Sequence, residues 1–305
     1  MNANPATPAP FEQTGSPRRR LAATLLCLIP LAAWYLSRGA PAWLIMWAMA
    51  VSEFFALKLL TLTDIPRGLP ARRLASYVFL WPGMNPSVFL GLVPTKMPAA
   101  TATELAWSLA KIALGLTALA WAIFNARTAP GIWVGWIGML GLIFTLHFGG
   151  FSFLSWAWRR AGVAALPIMR SPARSTSIGE FWGERWNLAF ADIARRFLFR
   201  PLVRLLGASL AGCTVFLVSG LVHESVISLP AGGGWGGPTL YFMLQALGIL
   251  AERSGAGRTI GLGSGWLGWC WVLLFTAVPV PILFHRPFVE RVVVPMFQQI
   301  AAALT

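Results

Sequence analysis

Charge is scarce in this chain. Only 11% of its 305 residues are charged, against 57% hydrophobic, whereas a soluble domain carries about 25% charged residues. With a mean hydropathy of +0.67, that shortage excludes an ordinary soluble globular domain and leaves a polytopic membrane protein. Lysine occurs only as Lys58, Lys96 and Lys111, so the formal net charge of +14 is nearly all arginine. The arginines stand in short clusters beside apolar runs, the pattern of cytoplasmic loops and anionic headgroup contacts rather than of a nucleic-acid surface. Cysteine is equally sparse. Cys27, Cys213 and Cys270 each lie inside an apolar run without metal-ligand spacing and read as packing residues. Histidine is limited to His147, His223 and His285, too few and too dispersed for a histidine-rich di-iron centre. One turn beyond His223 stands Ile227 where a zinc-protease helix would need its second histidine. No P-loop and no serine-nucleophile elbow occurs.

What the chain has is apolar runs. Residues 1–17, rich in Pro, Ala and Thr, are expected to be a disordered tail, and 18–305 a single membrane-embedded domain. Arg18–Arg20 precede the run Leu21–Leu36. With Ala40-Pro41-Ala42 behind it this could be a cleaved signal peptide, but a second span, Ala42–Leu60, follows at once and favours a retained helix. Further spans are expected at Glu104–Phe124, Ile132–Trp158, Gly207–Leu229, Thr239–Ala251 and Leu262–Phe284. The fold class is therefore all-α and polytopic, with about seven transmembrane helices. Tyr77–Val93 is also apolar, but Pro82, Gly83 and Pro86 break it, so a re-entrant or interfacial segment is expected there. If that segment does not cross, parity puts 159–204 on the same side as the N-terminus. That stretch has nine arginines against Glu180, Glu184 and Asp192, which places both in the cytoplasm.

The residues able to do chemistry cluster between Phe181 and Ser225. Ser177-Ile178-Gly179-Glu180 fits a capping box, so a helix should start just before Phe181. Along it Trp182, Trp186, Phe190, Ile193 and Phe197 recur at helical spacing, the signature of an amphipathic helix in the membrane surface. A plain interfacial anchor is the competing reading, although a buried Asn187 would need partners. On the next helix His223 shares a face with Ser219 and Ile227, Gly220 leaves room beside it, and Glu224 points about 100° away. An intramembrane histidine marks a working site or a satisfied helix–helix hydrogen bond. For His147 the structural reading is preferred, and His285 reads as interfacial. One histidine, one asparagine and a basic cytoplasmic surface suit acyl transfer from a phosphate-bearing carrier to a hydroxyl. Histidine would take the hydroxyl proton, asparagine would donate to the developing oxyanion, and arginines would hold the phosphates.

These residues also carry a resemblance. Ile178-Gly179-Glu180-Phe181-Trp182-Gly183-Glu184-Arg185-Trp186-Asn187, followed by Phe216-Leu217-Val218-Ser219-Gly220-Leu221-Val222-His223-Glu224, resembles the wax synthase branch of the membrane-bound O-acyltransferases. In plant members the first motif reads close to F-W-G-R-R-W-N and the second close to S-G-x-x-H-E; Glu184 stands in place of the first arginine. The match is sharp over about residues 175–230, and elsewhere only the multi-span character agrees. The resemblance implies acyl-CoA as donor, a lipophilic alcohol as acceptor, an ester as product, and neither metal nor cofactor. It makes His223 the catalytic histidine and Asn187 its companion. Trp182, Arg185, Trp186, Arg195, Arg196, Ser219 and Glu224 are the expected substrate-binding residues. A lipid transporter or flippase is the rival, but it should place several polar groups at mid-membrane on different spans. This chain offers mainly His223 and Glu224, with His147 and Gln245. The arginine- and alanine-rich composition and compact size point to a bacterial inner membrane.

Overall fold

The structure is a computed structural model that describes residues 17–304; all but the last position of the expected 1–17 tail lies outside the described residues. Helices account for every regular element among the described residues. Six are long and apolar enough to cross a membrane: α1 (Pro17–Ser37), α2 (Ala42–Thr61), α4 (Ala102–Phe124), α5 (Gly131–Arg160), α6 (Leu188–Ala231) and α8 (Gly265–Leu283). Between them lie α3 (Ala71–Leu80) and α7 (Gly237–Arg253), and α9 (Val294–Ala303) ends the fold. The protein is an integral membrane protein. Its outer faces carry exposed leucines, such as Leu210, Leu217 and Leu221 along one side of α6, a surface suited to lipid rather than water. The sixth expected span, Thr239–Ala251, is α7, a helix of 17 residues. Its Tyr241, Phe242, Gln245 and Ala246 are all buried.

The segment Tyr77–Val93 breaks as its prolines require. α3 ends at Leu80, Trp81 is extended, and a single turn, Pro86–Phe89, follows with Asn85 as its cap. With no helical residue at Trp81, the Tyr77 carbonyl loses its intrahelical partner. Lys58, fully buried in α2, replaces it: Nζ donates to Tyr77 O at 2.9 Å and to Gly83 O at 2.6 Å. Its ammonium also lies 3.6 Å from the centre of the Tyr77 ring. The break is thus fastened to a transmembrane helix.

The amphipathic helix expected to run unbroken through Trp182, Trp186, Phe190, Ile193 and Phe197 is two helices. Ser177 caps the first, accepting from Glu180 N at 3.0 Å, and Glu180 Oε2 reaches back to Thr176 N at 2.8 Å. This helix begins at Ile178–Glu180 and continues as a π turn, Phe181–Arg185. It stops where Trp186 is extended and Asn187 adopts the left-handed conformation (φ 42°, ψ 61°). Asparagine is one of the few residues that take this conformation at low cost. The apolar stripe therefore divides: Trp182 packs into the core around Phe242 and Phe288, while Ala189 and Ile193 pack with Tyr77, Trp81 and Phe89. A second bend falls at Gly207 (φ 75°), separating the basic leg of α6 from its membrane span. The span then starts where the sequence places it.

Candidate active site

The second motif can be read residue by residue. His223 Nδ1 lies 2.7 Å from Ser219 O, one turn back on α6. A carbonyl oxygen only accepts, so Nδ1 carries the proton and the neutral ring presents its lone pair at Nε2. Ser219 contributes this carbonyl, while its hydroxyl is used on Val215 O at 2.9 Å. Gly220 is where α7 crosses: a Cβ there would meet the Thr239 Cα at 2.7 Å. Glu224, next to the histidine in the motif, turns away to the start of α7. Its Oε1 accepts from Gly236 N at 2.9 Å, Thr239 N at 3.2 Å and Thr239 Oγ1 at 2.9 Å. Pro238 has no N–H and Gly237 N donates to Gly234 O at 3.1 Å, so the carboxylate caps the two donors left open at the start of α7, Gly236 N and Thr239 N. Immediately after His223 the helix widens into a π turn, Glu224–Ser228.

α7 answers with Phe242, one turn beyond Thr239. Its ring centre lies 4.5 Å from that of His223. Trp182 of the first motif packs on Phe242 at 5.5 Å and edge-on to Phe216 at 6.2 Å. Trp186 extends the wall, stacked on Phe181 at 5.4 Å and edge-on to Trp182 at 6.5 Å. The imidazole thus sits against an aromatic wall drawn from α7 and from both motifs.

Asn187 is not hydrogen-bonded to His223 among the described residues. Its Oδ1 caps the start of α6, accepting from Phe190 N at 3.4 Å, and its backbone N–H lies 3.2 Å from Met169 Sδ. With Oδ1 so engaged, Nδ2 is the end left to donate.

The basic residues gather elsewhere. Arg185 and Arg195 line a cleft of about 710 Å³ together with Arg170, Asp192, Trp81 and Asn85, a volume in the range of small-molecule sites. Neither His223 nor Asn187 lines it. Arg185 pairs with Glu180 through Nε at 2.7 Å, and Arg195 Nη2 donates to Gly183 O at 3.1 Å. Partial burial would raise the Glu180 carboxyl, but the Thr176 amide and the Arg185 guanidinium outweigh it and hold the group below its ordinary value. Arg196 stacks its guanidinium 5.3 Å from the Phe197 ring. Glu184 is exposed at the cleft's rim.

Two further residues organise the site without standing out in the sequence. Gln245, fully buried, accepts from Trp182 Nε1 at 3.2 Å. Glu252, at the end of α7, accepts from Ile178 N at 2.6 Å and so caps the helix that opens the first motif. α7 is tied to the second motif at its start and to the first motif at its middle and end. His285, read as interfacial, is buried beneath the glycine loop 232–237. Phe288 N–H donates to its Nδ1 at 3.2 Å, and Nε2 faces Ser228 Oγ at 3.1 Å. A Cβ at Gly234 would fall 2.2 Å from the His285 ring, which accounts for a glycine there. His147 packs on Phe151 at 5.0 Å, and its Nδ1 has no partner among the described residues.

Comparison with known proteins converges on this region. Residues 165–244 match the membrane bound O-acyl transferase family. A probable long-chain-alcohol O-fatty-acyltransferase 8 of Arabidopsis thaliana is 40% identical over 68 residues, 20% of each chain. The long-chain-alcohol O-fatty-acyltransferase of Simmondsia chinensis is 37% identical over 71 residues, 21% of this chain and 20% of its own. An acyl-CoA–sterol O-acyltransferase 1 of Arabidopsis thaliana is 37% identical over 67 residues, 20% of this chain and 19% of its own. The chain thus spans about a fifth of the length of these relatives. In the segment that carries both motifs, it is similar to the wax synthase-like members of the membrane bound O-acyl transferase family.

Proposed function

We propose that the protein is a membrane O-acyltransferase that moves a fatty acyl group from acyl-CoA to the hydroxyl of a lipophilic alcohol. The observation that carries this reading is the His223 Nδ1 contact to Ser219 O, which leaves Nε2 as a free base. The ring is set against an aromatic wall suited to an alkyl chain. In the reaction Nε2 takes the alcohol proton as the alcohol oxygen attacks the thioester carbonyl. The C–S bond then breaks, the imidazolium returns its proton to the leaving sulfur, and ester and free CoA result. Base catalysis of this kind contributes about 10²–10⁴-fold. Asn187 Nδ2 donates to the oxyanion, a role worth about 10²–10³-fold where it has been measured. Arg185, Arg195 and Arg196 hold the carrier's phosphates on the cytoplasmic side, the first two across the 710 Å³ cleft. Trp182 and Trp186 face the chains. Ser219 and Glu224 complete the substrate-binding set, the first beside the imidazole and the second at the start of α7. The reaction draws on side chains and acyl-CoA alone, in a bacterial inner membrane with the N-terminus inside.

The test is ester formation in membranes from a host expressing the protein, against the same host expressing His223→Ala at matched abundance. Labelled acyl-CoA is offered with fatty alcohols, sterols and terpenoid alcohols. Ester that requires His223 supports the reading and names the acceptor class. Equal product from His223→Ala refutes the site.

A further inference from the structure

Pro279 interrupts α8, and the consequence reaches His223. Proline has no N–H, so the Phe275 carbonyl four residues earlier has no helical donor. The next carbonyl is also released, because Val280 N turns to Ala277 O at 3.2 Å. Buried carbonyls of this kind must find partners, and both find them on α7. Tyr241 OH donates to Thr276 O at 2.9 Å, and Gln245 Nε2 donates to Phe275 O at 2.5 Å and to Tyr241 O at 3.3 Å. The two carbonyls fix which end of the Gln245 amide is nitrogen. A flipped amide would set oxygen against both carbonyls and NH₂ against the Trp182 N–H. Oε1 therefore has to face the indole, and it accepts from Nε1 at 3.2 Å.

We infer that Gln245 is a positioning residue for the acyl transfer proposed above: it fixes the Trp182 indole, and through it the aromatic wall against His223. The inference rests on that functional reading for its kinetic consequence but not for its structural one. Trp182 lies 5.5 Å from Phe242, whose ring is 4.5 Å from His223. Without the amide, the half-buried indole N–H loses its acceptor, and nothing else among the described residues fixes the orientation of the ring by a hydrogen bond. Gln245 is buried on every side by protein, so it acts through Trp182 and not by touching substrate.

The experiment compares Gln245→Met, Trp182→Phe, the double variant and Tyr241→Phe, each as full-length protein purified in detergent. Tyr241→Phe loses the other carbonyl of the α8 break without touching Trp182, and so controls for α8 packing. The Trp182 signal is isolated as the difference Raman spectrum between the unmodified protein and Trp182→Phe. In Gln245→Met its indole N–H band should move to the unbonded position, and in Tyr241→Phe it should stay. In turnover, Gln245→Met should lower kcat about tenfold, as small displacements at a reacting centre do, with KM for acyl-CoA unchanged. In the Trp182→Phe background the same change should cost less than about twofold, because coupled residues are not additive. An unchanged indole band, additive losses, or an equal loss from Tyr241→Phe would each overturn the proposal. If the unmodified protein forms no ester, the functional reading falls, and the indole band still decides whether Gln245 holds Trp182.

Discussion

Gly220→Ala should do more harm than its size suggests, and Gly212→Ala on the same helix should do none. At Gly220 a methyl group would sit 2.7 Å from the Thr239 Cα, a backbone atom that cannot rotate aside. Carbon atoms prefer about 3.5–4.0 Å, so α7 must retreat by about 1 Å. Overpacking of this sort costs about 1–3 kcal/mol, and the better helix propensity of alanine returns about 1 kcal/mol. Stability should therefore fall by no more than about 2 kcal/mol. At Gly212 nothing lies within 4 Å, so only the gain of about 1 kcal/mol applies. The catalytic effect is larger, because α7 carries Phe242, which rests 4.5 Å from the His223 ring. A misplacement of about 1 Å can cost roughly 10²-fold in rate. The assay is initial rate of ester formation at saturating acyl-CoA, with thermal unfolding of the same detergent samples. The expected pattern is a modest loss of Tm and a large loss of kcat for Gly220→Ala, with neither for Gly212→Ala. A Gly220→Ala protein whose rate falls only in proportion to its folded fraction would refute the argument.

Asn187 has two separable duties. Asn187→Asp keeps the cap on Phe190 and tolerates φ 42°, while Asn187→Gly accepts the same backbone and gives up only a few tenths of a kcal/mol of cap. Both should unfold near the parent temperature and both should lose ester formation; an active Asn187→Asp would show that Nδ2 is not used. His285 gives a pH dependence. Burial lowers its folded-state value below the ordinary 6.5, with the Glu224 carboxylate partly opposing. Stability from the neutral ring is therefore complete above pH 6.5 and lost as pH falls through the lower folded value. Unfolding temperature measured from pH 8 downward should be level and then drop, and His285→Gln should flatten the drop. Lys58→Met strands the Tyr77 and Gly83 carbonyls, each worth about 1–3 kcal/mol when buried unpaired. It should lower Tm and raise hydrogen exchange at 81–86 before the rest of the molecule is affected.

The spans were readable because length and hydropathy are local properties, and so was the break after α3, since Pro82, Gly83 and Pro86 lie in it. What fastens that break was not readable. Lys58 is 25 residues from Gly83, and in sequence it is one of two charged residues in an apolar helix, with Glu53. The first motif shows the same division. Its start was legible from Ser177 and Glu180, but its interruption at Trp186-Asn187 carries no glycine or proline, and the apolar spacing runs on undisturbed. The one available signal was asparagine itself, which both caps helices and tolerates a left-handed backbone.

The second motif illustrates why a pattern can be found before its parts are understood. Its serine, glycine, histidine and glutamate lie within six positions, so a sequence shows them together, and His223 stands out as a base in an apolar run. Three of the four serve geometry that the sequence does not display. Ser219 offers a carbonyl that any residue could offer, with a side chain that takes little room. Gly220 is an absence of side chain that has meaning only once Thr239 lies against it. Glu224 is spent on the first amides of α7, a helix that begins 13 residues later. Ser219 sets the imidazole, Gly220 and Glu224 act on where α7 sits, and α7 brings Phe242 to the imidazole and Gln245 to Trp182. The working unit is therefore neither motif alone but the two motifs with the helix that holds them in register, and Pro279 on α8 belongs to it through the carbonyls it leaves for Tyr241 and Gln245.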